Sequence, residues 1–354
     1  MKKNFLISTG GSGGHVIPAT ILYKHLSSVA NIILSTDKRG LKYFNKDNIK
    51  FEVINTPKLN NIFFFPINFI LILILTFKSY FLLKNKEIEK IFSTGGYMSL
   101  PIILAAKLLR LKIYLVEPNQ VLGRANKFFL NSCEKIFCYT KEIKNFPEKF
   151  KNKIITIFPL VKENIYRLKQ PNENKDEFTL LVVGGSQGAN IFDKNLKNLI
   201  VKISKEKSIK IIQQTHQNNI TDLKNFYTKN NVKNEIFSFD ENFANNIIQS
   251  DICISRAGAS TLAELSVLNV PFIAVPLPTS KDNHQYENAF FYEMKNCCWI
   301  VEQNQFEEKI EKVLKDILYD KSNYFKKKES LKKLNFQNTW ANANQKILKT
   351  VNEN

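Results

Sequence analysis

Four short regions of this chain combine residue types that can handle phosphate, ribose and sugar hydroxyls. The first is Gly10-Gly11-Ser12-Gly13-Gly14, followed at once by His15-Val16. Glycines let the backbone approach an anion closely, and a helix starting there supplies free N–H groups and a partial positive charge. An imidazole at that point can take a proton from an attacking hydroxyl, or it can serve only to hydrogen-bond nearby backbone. The loop lacks the third glycine of the dinucleotide fingerprint Gly-x-Gly-x-x-Gly. Asp37, near that motif's acidic position, is the only support for NAD. There is no Gly-Lys-Ser/Thr either, so the loop is not a P-loop.

The second region, Gly184-Gly185-Ser186-Gln187-Gly188, repeats the pattern in the other half of the chain. Ser186 and Gln187 add side-chain donors suited to a pyrophosphate or a sugar hydroxyl; the alternative is a tight turn that needs glycine for steric reasons. The third runs from Ser255-Arg256-Ala257-Gly258 to Glu264. Gly258 allows a tight turn, and Ser260 or Thr261 is expected to cap a helix whose free N–H groups face a phosphate. Glu264, one turn in, can hold two adjacent ribose hydroxyls or simply favour the helix start. The fourth is Lys281 to Ala289, where the amides of Gln285 and Asn288 can read sugar hydroxyls or belong to a solvated helix start.

These loops need strands and helices to present them. Apolar runs at Phe5–Ser8, Asn31–Leu34, Lys90–Ser93, Lys112–Val116 and Lys135–Cys138 alternate with helical stretches. That alternation predicts βαβ units and a parallel sheet. Near residue 158 the pattern restarts. Pro159 and the polar stretch Gln170–Glu177 mark a boundary and loop, and Phe178–Val183 then leads into the second glycine-rich loop. Further strands are expected at Ile209–Ile212, Asp251–Ile254 and Pro271–Val275, and a terminal helix from Asn338. With 354 residues at roughly 100–200 per domain, two domains are expected. The division is 1–158 plus a returning helix 338–354, and 159–337.

Ile62–Phe77 breaks the pattern. It reads IFFFPINFILILILTF, with Asn68 and Thr76 its only polar residues. This run falls short of the ~20 apolar residues that span a bilayer. The readings are a core helix, or one whose outer face dips into a membrane surface with Lys78, Lys84 and Lys86 against anionic headgroups. The formal charge of +19 admits nucleic acid, anionic lipid or a phosphorylated substrate as partner, or a compositional bias toward lysine spread along the chain. The five cysteines show no paired metal-ligand spacing and read as buried thiols of a reducing cytoplasm. Met1-Lys2-Lys3-Asn4 runs straight into a strand, so export by a cleaved signal is not expected.

The four regions, with Gly95-Gly96-Tyr97 and Glu117-Pro118-Asn119, closely resemble the MurG family, the bacterial glycosyltransferases that add N-acetylglucosamine (GlcNAc) to lipid I. The resemblance covers essentially the whole chain and extends through Ile17-Pro18-Ala19, Ala189, Arg256-Ala257-Gly258-Ala259, Tyr286 and Asn288. It implies an α/β GT-B architecture, two Rossmann-like domains with parallel sheets facing across a cleft. It also implies inverting transfer from UDP-GlcNAc to the C4 hydroxyl of N-acetylmuramic acid in lipid I, giving lipid II for peptidoglycan. By position, Ala259, Ser260, Thr261, Leu262, Ala263 and Glu264 would hold the nucleotide, with Glu264 on the ribose. Ser186 would contact the diphosphate, and Gln285 the N-acetylglucosamine. Ser12, Gly13, Gly14 and Asn119 would close over the sugar and the acceptor diphosphate, and His15 would be the base. No cofactor, no metal and no nucleic acid are implied, and the protein would sit peripherally on the cytoplasmic face of the cell membrane, against an anionic surface.

The chain departs from the family in three places. Pro159-Leu160-Val161-Lys162 stands for Asn-Pro-Val-Arg, so Lys162 keeps a charge on the donor but loses the bidentate fork of arginine. Asp240 replaces an apolar residue expected near the uracil base of the donor, and Pro118 replaces a glutamine. The rival readings are a UDP-N-acetylglucosamine 2-epimerase, a dehydrogenase, and a non-catalytic protein that binds a nucleotide-sugar or anionic lipid.

Overall fold

The computed structural model describes residues 2–44, 49, 51–57, 65–168, 177–185, 190–240 and 243–353. It divides into two units, Met1–Val161 with Trp340–Asn354, and Lys162–Thr339.

In the first unit β1 (Lys3–Ser8), α1 (Gly13–Leu26), β2 (Ala30–Thr36), β3 (Phe51–Val53), α2 (Phe65–Asn85), β4 (Ile88–Ser93), α3 (Leu100–Leu108), β5 (Lys112–Glu117), α4 (Arg124–Phe129), β6 (Lys135–Cys138) and β7 (Ile154–Thr156) alternate along the chain. The strands form a parallel sheet in the order β3-β2-β1-β4-β5-β6-β7. Phe5, Leu6 and Ile7 of β1 are all buried, as a central strand covered on both faces requires.

The second unit holds β8 (Phe178–Val183), α5 (Asn190–Ser204), β9 (Ile209–Gln214), α6 (Ile220–Lys229), β10 (Lys233–Phe237), α7 (Phe243–Gln249), β11 (Ile252–Ser255), α8 (Ala259–Val267), β12 (Phe272–Ala274), α9 (His284–Glu293), β13 (Cys298–Ile300), α10 (Phe306–Tyr319) and α11 (Lys321–Leu334). Its parallel sheet runs β10-β9-β8-β11-β12-β13. The last helix, α12 (Trp340–Glu353), belongs to the first unit. Ile347 and Val351 join the core around β1 and α1, and Trp340 stacks on His25 at 3.7 Å.

Both sheets are doubly wound, and strand order reverses between β1 and β4 in one and between β8 and β11 in the other. Such a switch point opens a crevice beyond the carboxyl ends of its two strands. Four glycine-bearing turns lie there: Gly10–Gly14 after β1, Gly95-Gly96 after β4, Gly184-Gly185 after β8 and Gly258 after β11.

The nine strands expected from sequence are present. Those not foreseen, β3, β7, β10 and β13, are the four sheet edges. An edge strand is short and partly solvated, and Lys233-Asn234-Glu235-Ile236-Phe237 shows why it lacks the apolar signal. The five cysteines are free and buried.

The apolar segment corrects one expectation. Residues 58–64 lie outside the described ones, but α2 runs past Phe77 to Asn85 and is 21 residues long. Lys78 interrupts the apolar run without ending the helix, because lysine is a good helix former. By length and composition Pro66–Asn85 is sufficient to cross a membrane. The helix is also inside out. Its buried positions are Ile72, Thr76, Ser79 and Leu83, whereas Ile67, Phe69, Ile70, Leu71, Leu73, Ile74, Phe77 and Phe81 are 42–67% exposed. A helix docked on a soluble core shows the opposite pattern.

Candidate active site

In the first unit, α1 begins at Gly13 with Ser12 as an extended N-cap whose hydroxyl makes no capping bond. The Ser12 carbonyl accepts from His15 N and Val16 N at 3.0 and 3.2 Å. Gly13 and Gly14 therefore open the helix with N–H groups that have no intrahelical acceptor. Asp37, at the end of β2, fixes the loop before them. Its Oδ1 accepts from Gly11 N at 2.8 Å and Gly40 N at 2.9 Å, and its Oδ2 from Arg39 Nε and Nη2 at 2.8 and 2.7 Å. Arg39 in turn donates to the Tyr97 hydroxyl. Burial opposes ionisation of Asp37, but the Gly11, Arg39 and Gly40 donors outweigh it and hold the carboxyl below its ordinary value. The acid that hinted at a dinucleotide ribose is thus spent on the protein's own loop.

His15 points across the switch point. Its Nδ1 lies 2.7 Å from the Thr94 carbonyl oxygen, just beyond β4. A carbonyl only accepts, so Nδ1 carries the hydrogen and the neutral ring keeps its lone pair on Nε2. Gly95 and Gly96 follow with φ of +87° and +85°. A Cβ on Gly95 would lie 3.5 Å from His15 Cε1, and one on Gly96 3.7 Å from His15 Cδ2. A Cβ on Gly96 would also collide with Met98 Sδ, so room for a further group beside the imidazole lies at Gly95.

Glu117 ends β5, and Asn119 donates to its Oε1 twice, from its backbone N at 3.2 Å and from Nδ2 at 3.1 Å. The replacement of glutamine by Pro118 leaves this anchoring intact, because both bonds come from residue 119 itself. Asn126 on α4, which no sequence pattern singled out, donates to the same carboxylate.

In the second unit, Gly185 N donates to Gln214 Oε1 at 3.0 Å, with φ of +65° and open space where a Cβ would sit. Ser186, Gln187, Gly188 and Ala189 lie outside the described residues. The α8 cap differs from expectation. Gly258 itself takes the extended N-cap conformation, so Ser260 and Thr261 fall inside the first turn and no side chain caps the helix. Leu262 and Ala263 are buried. The N–H groups at Ala259, Ser260 and Thr261 lack helical acceptors.

Glu264 is half-buried on α8, and that burial pushes its carboxyl up to about 7, against the pull of Lys162. Lys162 is exposed, so its charge reaches Glu264 without a salt bridge between them among the described pairs. Gln285 opens α9, and its Oε1 accepts from Ala257 N at 3.2 Å and Leu277 N at 3.0 Å. Both partners can only donate, which fixes the amide orientation and leaves the NH₂ end as the group that can face a ligand. From sequence the amide offers both a donor and an acceptor; the fold uses up the acceptor. Asn288 donates from Nδ2 to Ala257 O at 3.2 Å, supporting the same turn. Asp240 accepts from Asn246 Nδ2 at 2.8 Å. Among the described residues no group of three or more His, Cys, Asp and Glu side chains converges as a metal site.

Residues 5–138 match the glycosyltransferase family 28 N-terminal domain, and residues 179–343 the family 28 C-terminal domain. The chain is 47% identical, over 100% of both sequences, to the UDP-N-acetylglucosamine--N-acetylmuramyl-(pentapeptide) pyrophosphoryl-undecaprenol N-acetylglucosamine transferase of Pelagibacter ubique (strain HTCC1062). The enzyme of the same name from Rickettsia felis (strain ATCC VR-1525 / URRWXCal2) is 35% identical over 89% of this chain and 90% of its own length. The fold is that of the crystal structure of Acinetobacter baumannii MurG, with a TM-score of 0.78 at 23% identity over 100% of both chains. Full-length identity at this level, with both family domains matched in order, means that the chain belongs to the MurG family of hexosyltransferases.

Proposed function

We propose that this protein transfers N-acetylglucosamine from UDP-GlcNAc to lipid I, forming lipid II, by a single inverting displacement with His15 as the base. The transfer itself is the reaction of the MurG family to which the chain belongs. The observation that carries the mechanism is the 2.7 Å contact between His15 Nδ1 and the Thr94 carbonyl, which leaves Nε2 as the ring's proton acceptor.

The C4 hydroxyl of N-acetylmuramic acid attacks C1 of the donor sugar and gives its proton to His15 Nε2. The bond from C1 to the UDP oxygen breaks as the new glycosidic bond forms, and UDP leaves with the electron pair. Free N–H groups at Ala259, Ser260 and Thr261 meet the negative charge that builds on UDP, together with Ser186 and the Gly184-Gly185 turn. Glu264 holds the ribose hydroxyls, Leu262 and Ala263 shape the nucleotide slot, and the NH₂ of Gln285 donates to the N-acetylglucosamine. Lys162 supplies charge, and Ser12, Gly13, Gly14 and Asn119 serve the sugar and the acceptor diphosphate.

The acceptor is lipid-linked, so the reaction takes place at a membrane. We place the protein peripherally on its cytoplasmic face, with the apolar outer side of α2 in the lipid and Lys78, Lys84 and Lys86 toward anionic headgroups. One assay tests the function: labelled UDP-GlcNAc with lipid I, followed by extraction. Label in lipid II is the expected result; label that stays in the donor, or appears in a free epimerised sugar nucleotide, overturns it.

A further inference from the structure

We infer that Glu117 is a positioning residue that turns Asn126 so that its Oδ1 stands beside His15 as an acceptor for an N–H or O–H of the acceptor sugar. The inference rests on the reading of His15 as the base.

Glu117 is buried, and neutral amide donors surround its two oxygens. A buried carboxylate without a cation is tolerated only when its oxygens are fully hydrogen-bonded. Here Oε1 takes the two Asn119 donors, and Oε2 takes Gly123 N at 2.8 Å and Asn126 Nδ2 at 2.9 Å. The same Nδ2 also donates to the Val116 carbonyl at 3.0 Å. Both hydrogens of the Asn126 amide are therefore committed to groups that only accept, and its nitrogen and oxygen cannot exchange places.

The consequence falls on Oδ1. Asn126 is 2% exposed, and its Oδ1 is buried without a hydrogen-bond partner. A buried acceptor left unmade costs free energy, and such groups call for a role. A Cβ on Gly95 would lie 3.5 Å from this oxygen and 3.5 Å from His15 Cε1. The Asn126 amide, with Nδ2 at 3.4 Å, and the imidazole thus both border the position of the missing side chain, and a sugar group that displaces the Gly95 turn to reach it would meet two acceptors. One hydroxyl supplies a hydrogen to Nε2. A second donor, an amide N–H or hydroxyl on the same sugar, completes Oδ1. Phosphate oxygens, which carry no hydrogen when ionised, do not match this pair.

The test uses the full-length protein with lipid I in detergent micelles. Glu117→Gln keeps the size of the side chain but sets an NH₂ against two donors, so one of the two asparagine amides loses its anchor. We expect kcat to fall and KM for lipid I to rise by about tenfold or more, while UDP-GlcNAc affinity is retained. Asn126→Ala should raise KM for lipid I in the same way. A general loss of packing would instead lower thermal stability and UDP-GlcNAc affinity along with these constants. Wild-type constants in both Glu117→Gln and Asn126→Ala overturn the inference. Should Glu117→Gln fail to fold by circular dichroism, Asn126→Ala decides alone. Lipid II from the wild type with unchanged variants overturns the positioning role only; no lipid II from the wild type overturns the functional reading as well.

Discussion

His15 Nδ1 and the Thr94 carbonyl oxygen lie 2.7 Å apart, joining the start of α1 to the end of β4 across the switch point of the first sheet. The bond sets both the tautomer and the direction of the ring. His15→Ala should therefore lower kcat by about two to four orders of magnitude, as loss of a general base does. Retained UDP-GlcNAc binding, measured by calorimetry, would place the loss in the chemical step. Near-normal turnover would remove His15 from the mechanism.

Gly95 offers a backbone test of the same geometry. Its φ of +87° disfavours any side chain by roughly 1 kcal/mol. An added methyl would touch His15 Cε1 and the Asn126 amide, each at about 3.5 Å. Gly95→Ala should cost little melting temperature and much activity. If thermal stability and kcat fall in the same proportion as in a remote glycine variant, the open gap has no functional role.

The carboxyl of Glu264 gives a pH dependence with a defined sign. Its folded-state value of about 7 exceeds the ordinary 4.5, so folding takes up a proton between those two pH values. Its contribution to stability is most favourable below pH 4.5 and is lost as the pH rises through about 7. Glu264→Gln should stabilise the fold more at pH 8 than at pH 5, by on the order of 2–3 kcal/mol at most, read as a larger gain in melting temperature at pH 8. Binding should run the other way. Ribose hydroxyls donate best to the ionised carboxylate, so UDP-GlcNAc affinity should rise with pH through about 7 in the wild type and not in Glu264→Gln. The diphosphate of a UDP-sugar is esterified at both ends and has no proton to lose in that range, so a flat wild-type profile would take Glu264 off the ribose.

The outer face of α2 predicts binding to vesicles rich in anionic lipid. Leu73→Asp with Phe77→Asp puts two charges on exposed positions, so folding should survive. Sedimentation with the vesicles and turnover of membrane-embedded lipid I should both drop, while turnover of a water-soluble acceptor analogue should not. Unchanged sedimentation would refute the assignment of this face to lipid.

Much of this was readable from residue order alone, for a physical reason. Central stretches such as Phe5–Ile7 and Leu180–Val183 are covered on both faces and must be apolar throughout, and glycines must punctuate the turns at a switch point. Edge strands such as β10 escape because one side meets water. The orientation of amides escapes as well. Nothing in the letters around Gln285 or Asn126 states that two acceptors or two donors will converge on one end of an amide; only the fold brings Ala257 N and Leu277 N, or Glu117 and Val116, to the same group. The length of α2 was under-read because Lys78 ended the apolar run before the helix itself ended.

The inside-out helix changes what concentration means for this enzyme. Once α2 rests in a bilayer, protein and lipid-linked acceptor meet by lateral diffusion within one plane, while UDP-GlcNAc arrives from solution. The rate then follows the number of acceptor molecules per unit of membrane area. Diluting the bilayer with inert lipid at constant total acceptor should slow the reaction, whereas diluting the surrounding buffer at fixed UDP-GlcNAc concentration should leave the rate per vesicle unchanged.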